Sequence, residues 1–152
     1  MKSYAKLIVM AAFAVLMMSA FAAADTPGAH PAYLHALTDL RHARAHVDVG
    51  TPNYRIDADE RRAIDEIDAA IREVKEAAID DGKPLSDHPP VDARWKRADR
   101  LHRAMELLDK AHKDINERES DRFARGLKHR ALHHIDEARK AVHDAARVER
   151  HE

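Results

Sequence analysis

Arg62-Ala63-Ile64-Asp65-Glu66-Ile67-Asp68-Ala69-Ala70-Ile71-Arg72-Glu73-Val74-Lys75-Glu76-Ala77-Ala78 carries its branched apolar residues at 64, 67, 71 and 74, in steps of three and four. That alternation lays them along one stripe of an α-helix and leaves the charged residues on the remaining surface. At an offset of 68 residues the pattern returns as Arg130-Ala131-Leu132-His133-His134-Ile135-Asp136-Glu137-Ala138-Arg139-Lys140-Ala141-Val142-His143-Asp144-Ala145-Ala146, identical at 8 of 17 positions. Roughly two identities would arise by chance in so Ala-rich a pair, so the segments read as copies. At the same offset Tyr33, Ala36, Leu37, Leu40, Ala43 and Val47 fall on Leu101, Ala104, Met105, Leu108, Ala111 and Ile115. Residues 31–82 therefore read as one helical hairpin and residues 93–149 as its homologue, joined by a linker at 83–92 that contains Pro84, Pro89 and Pro90.

Working outward, the apolar periodicity predicts helices over 31–48, 59–81, 93–119 and 121–149. Asp57-x-x-Glu60 has the form of a capping box before the second, Gly82 is placed to stop it, and Asp92 is placed to N-cap the third. Ala98, Leu101, Met105, Leu108 and Ile115 form the expected inward stripe of the third helix, and Leu127, Ala131, Ile135, Ala138, Val142 and Ala145 that of the fourth. A hairpin alone would expose its stripe. Hiding both predicts an all-α, antiparallel up-down four-helix bundle built of two homologous hairpins, a monomeric single domain over 25–152 in which helix 4 can neighbour helix 1. A swapped or side-by-side dimer of hairpins is the competing arrangement, since the linker is long enough for either.

Lys2 and Lys6, the apolar run Leu7 to Ala20, and Ala22-Ala23-Ala24 before Asp25 read as a cleaved signal peptide over 1–24. An uncleaved N-terminal anchor is the alternative, although the run is short for a membrane span. Cleavage would deliver the chain to the periplasm or the medium, with no membrane contact afterwards. It would leave 24 Lys and Arg against 27 Asp and Glu, a net charge of −3 that gives no reason to invoke nucleic acid. The absence of Cys excludes a disulfide scaffold and thiolate-held cofactors, including haem attached through Cys-x-x-Cys-His.

The unusual feature is histidine, 12 of them, all beyond the expected cleavage point. His42 and His46 lie four apart on the first helix, and His129 and His133 four apart on the fourth, so each pair points its imidazoles the same way about one turn apart. His134, Asp39 and Asp136 stand close by in sequence. Imidazole with an occasional carboxylate suits Cu(II), Ni(II) or Zn(II), and the candidate ligands are His42, His46, His129, His133, His134, Asp39 and Asp136. The competing reading is that most of these are solvated: His42, His133 and His134 fall outward when Ile64 and Ile67 are taken as seam positions. His30-Pro31 and His88-Pro89 read as turns leading into helices.

Enzyme chemistry finds no footing. Beyond the signal region the only serines are Ser86 and Ser120, both in loops, and the Glu-x-x-His motif of di-iron bundles is missing. Asp68 and Asp136, repeated in both halves, read as partners of Arg72 and Lys140 one turn on. The stretches His30-Pro-Ala-Tyr-Leu-His-Ala-Leu-Thr-Asp-Leu-Arg41 and Asp65-Glu-Ile-Asp to Asp80-Asp-Gly-Lys83 resemble a family of small secreted bacterial helical proteins, which implies export and a helical fold but no activity. More loosely, the Cys-free, His-rich and Ala-rich helices are similar to small periplasmic histidine-rich metal-binding bundles, whose regular His heptads are not reproduced here. The expectation is a non-enzymatic exported protein that binds or buffers late first-row divalent ions. The alternative is an envelope-stress or protein-interaction bundle without a metal function. Full protonation of the histidines would carry the mature charge from −3 to +9, so acid is expected to destabilise the fold, opposed by histidines beside Asp39, Asp109, Asp136 and Glu137.

Overall fold

The computed structural model describes residues 31–50, 55–77, 81–116 and 122–148. The expected signal peptide at 1–24 lies outside the described residues. Those described form four α-helices, α1 (Pro31–Val47), α2 (Ala58–Ala77), α3 (Arg97–Ile115) and α4 (Arg122–Val148), with no strand among them.

Local chemistry accounts for the boundaries. α1 opens on Pro31, whose missing N–H would have had no helical partner in any case. The capping box at α2 is closed in both directions: Glu60 N donates to Asp57 Oδ1 at 2.8 Å and Asp57 N to Glu60 Oε2 at 2.9 Å. Asp92 does not cap α3. Its carboxylate accepts from Arg94 N at 2.9 Å and its carbonyl from Trp95 N at 3.1 Å, closing a tight turn that postpones the helix to Arg97. Gly82 adopts φ 68, a left-handed conformation that suits a residue without Cβ. Gly126 is helical, and an added Cβ there would meet only the end of the Arg130 side chain at 3.8 Å. Gly126→Ala is therefore expected to raise stability by about 0.5–1 kcal/mol, read as a higher urea midpoint with an unchanged slope.

The four helices share one core. α2 supplies Ile64, Ile67, Ile71 and Val74, and α4 supplies Leu127, Ala131, Ile135, Ala138, Val142 and Ala145, as the periodicity predicts. α3 differs from its expected stripe. Leu107 is buried with Leu101, Leu108 and Ile115, whereas Ala98 is exposed and Met105 only half-buried. With Leu101, Val142 and Ala146, these two line a shallow apolar groove between α3 and α4.

One end of the molecule shows how the helices meet. The Arg97 guanidinium, in the first turn of α3, donates to Glu60 Oε1 at 2.9 Å, to Asp57, and to the Ala145 carbonyl at 2.9 Å. Arg100 Nη1 donates to the carbonyl of His46 at 2.9 Å. The starts of α2 and α3 and the ends of α1 and α4 thus come together. α1 packs on α2 and α3, and α4 packs on the same two, with α2–α4 and α1–α3 the most extensive pairs. α4, which an up-down arrangement would allow beside α1, lies diagonally across from it.

This arrangement requires the chain to travel back along the molecule between α2 and α3, and the crossover 81–96 does so against α1. Asp81 clasps the fully buried Arg41, with Oδ1 and Oδ2 accepting from Nη2 and Nη1 at 2.7 and 2.9 Å. Leu85, Ser86 and His88 line a cleft with Arg44, Ala45 and Asp48, and Trp95 packs over His46. α1 is consequently buried on two sides, which is why Arg41, Ala45 and His46 are inaccessible alongside its apolar stripe. Adjacency also redirects the ion pairs. Asp68 takes Arg44 of α1 at 2.7 Å, and Asp136 lies 3.7 Å from His112 of α3 and 3.1 Å from Arg139, in place of the pairs expected with Arg72 and Lys140.

Candidate functional site

The side of α1 that the crossover covers carries His42 and His46, one turn apart. Their Nε2 atoms face each other at 3.1 Å, with ring centroids 4.7 Å apart and planes inclined by 38°. His46 is 3% exposed, and its Nδ1 is buried without a hydrogen-bond partner. Trp95 closes over it at a centroid distance of 5.6 Å. From the crossover comes His88, whose ring lies parallel to that of His42 within 4° at 6.5 Å. The Nδ1 of His88 is 2.8 Å from the Pro89 carbonyl, which can only accept. That nitrogen therefore holds the proton and the Nε2 lone pair is left available.

The surroundings keep the pair neutral. Burial lowers the pKa of His46 to about 4, helped by His42, Arg103, Arg100 and His88. His42 is lowered too, by burial first and then by Arg103, His88 and Lys110. The expectation that Asp39 would favour protonated His42 fails: burial and then Arg103, His88 and Lys110 act on His42, whereas the histidine that acts on Asp39 is His35. Asp39 itself is partly buried near Lys110, Asp114 and Arg103, and burial raises its pKa.

A neutral imidazole is the form that binds a metal. With metal–nitrogen bonds of about 2.0–2.1 Å, two ligating nitrogens stand about 2.9 Å apart at a right angle and about 3.4 Å apart at a tetrahedral one. The 3.1 Å separation of His42 and His46 lies between these limits. Among the described residues no three His, Asp or Glu side chains already converge on one point. The chemistry on offer is a two-imidazole bite with a third imidazole close by.

The candidates on α4 are dispersed. His129 and His133 are exposed, and the His133 and His134 rings stand 5.7 Å apart. His134 Nδ1 turns to Glu66 Oε2 of α2 at 2.7 Å, while Asp136 serves His112 and Arg139. His133 also lies twelve residues, about 18 Å of helix, from Ala145 at the end where His46 is found. The structure does not bring the two His pairs together. His88, which sequence reading takes as part of a turn, is the residue it supplies instead. The available signal was length: a linker that must return along the bundle lays its side chains against a helix. The chain matches no protein-family model, no curated protein and no solved structure.

Proposed function

We propose that this is a non-enzymatic, exported, histidine-rich protein that binds late first-row divalent metal ions, Cu(II), Ni(II) or Zn(II), at His42 and His46, and so buffers them. The observation that carries the reading is the approach of the His42 and His46 Nε2 atoms to 3.1 Å, a ring-to-ring hydrogen bond whose proton a metal ion would replace. Imidazole-only ligation suits these ions rather than Mg(II) or Ca(II). The architecture we infer is an antiparallel four-helix bundle of two homologous hairpins. It is supported by contacts that recur across the 68-residue offset: Arg44 with Asp68 recurs as His112 with Asp136, and Glu66 meets His134. Export rests on the character of residues 1–24, and monomeric behaviour on the shared core of the two hairpins.

Trp95 is the sole tryptophan of the chain and sits against His46, which makes the test direct. Cu(II) titration in chelator-free buffer is expected to quench its fluorescence saturably with micromolar affinity and a stoichiometry near one. The double variant His42→Gln/His46→Gln should abolish this, and His129→Gln/His133→Gln should leave it unchanged. Absence of a saturable response would favour the alternative, a protein-interaction bundle. That reading finds support in the apolar groove between α3 and α4 formed by Leu101, Met105, Val142 and Ala146.

A further inference from the structure

The crossover is held at its two ends by different means. At the first, Asp81 is locked to Arg41, and at the second, the Asp92 turn sets Trp95 on His46. Between them the segment closes on itself: Asp87 N donates to Pro84 O and His88 N to Ser86 O, both at 3.0 Å, and Lys83 pairs with Asp87 at 2.9 Å. Its residues from Lys83 to Asp87 are exposed, and so are Pro89 and Pro90. His88 is the exception, half-buried and turned to the ring of His42.

We propose that His88 is the third ligand of a metal held by His42 and His46, so that metal occupancy fastens the middle of the crossover onto α1. This rests on the metal-binding reading above. Three features carry it beyond that reading. The Pro89 carbonyl fixes the His88 proton on Nδ1 and leaves Nε2 as the donor atom, the arrangement in which ligating histidines are usually held. The His42–His88 centroid distance of 6.5 Å exceeds the His42–His46 distance of 4.7 Å by only 1.8 Å, a displacement that an exposed segment with local hydrogen bonds can absorb. The buried Nδ1 of His46, without a partner, marks a side chain placed at a cost in solvation that its neighbours do not offset. His42 and His46 offer imidazole nitrogens 3.1 Å apart and His88 would add a third, a donor set that admits Zn(II), Cu(II) or Ni(II) and leaves at least one position on the ion for water.

The experiment uses the full exported chain with Zn(II) alone, which neither quenches Trp95 nor changes oxidation state. Affinity is measured by calorimetry and the crossover is followed by amide hydrogen exchange of residues 83–90. In the wild type Zn(II) is expected to slow exchange at Asp87 and His88. In His88→Ala, whose change lies on an exposed segment, Zn(II) should still bind, weakened about 10- to 100-fold, and should no longer protect those amides. Equal affinity and equal protection in His88→Ala would overturn the third-ligand assignment while leaving the two-histidine reading in place. Absence of Zn(II), Cu(II) and Ni(II) binding by the wild type would overturn both.

Discussion

Asp81→Ala is expected to destabilise the protein by about 3–5 kcal/mol, the range found when one member of a buried ion pair is removed. The Arg41 side chain is 0% exposed, Asp81 accepts two of its hydrogen bonds, and a longer one of 3.3 Å goes to the Lys83 carbonyl. Arg41 holds the Asp81 carboxyl below the usual carboxylate range, its hydrogen bond being the principal cause. Without that carboxylate the guanidinium must stay buried and uncompensated or pull the crossover away from α1 to reach water. Either route costs stability, and the second also loosens the cover over His42 and His46. Arg41→Met/Asp81→Ala, which removes both charges and keeps the volume of the buried chain, should recover most of the loss. Urea unfolding followed by far-UV circular dichroism measures both. A single-variant loss under about 1 kcal/mol would show that the clasp does not hold the crossover in place.

Lowering the pH from about 7.5 to about 4 in metal-free buffer is expected to remove on the order of 2–3 kcal/mol through His46. The folded value of about 4 lies below the ordinary 6.5, so the unfolded chain takes up the proton first. The stability associated with neutral His46 is present above about pH 6.5 and is lost as the pH falls toward 4. His42 acts in the same direction, lowered by burial first and then by Arg103, His88 and Lys110. Asp39 acts in the opposite one, since its raised pKa makes the folded state bind a proton more readily, but only near the bottom of the range. His46→Leu should flatten the curve of melting temperature against pH. A wild-type curve as flat as that of the variant would show that the crossover leaves His46 accessible to water. Self-repulsion among protonated histidines acts with the same sign, whereas the structure concentrates the effect in the buried His46 and the half-buried His42.

The alternating steps Ile64, Ile67, Ile71 and Val74, and Leu127, Ala131, Ile135 and Ala138, were enough to define α2 and α4 and their buried stripes. The Asp57–Glu60 box likewise needed only sequence, because capping joins groups three residues apart. Local chemistry of this kind is written in adjacent residues. Two matters were not. Leu107 in place of Met105 depends on how α3 is rotated between α1 and α4, which the period of one helix does not specify. The burial of His46, the partial burial of His42 and the approach of His88 depend on a crossover with no periodicity, whose path is set by contacts between distant residues, Arg41 with Asp81 and His46 with Trp95. A helical pattern records which stripe is apolar. It carries no record of a second face that becomes buried only when another segment is drawn across it by an ion pair some 40 residues away in the chain.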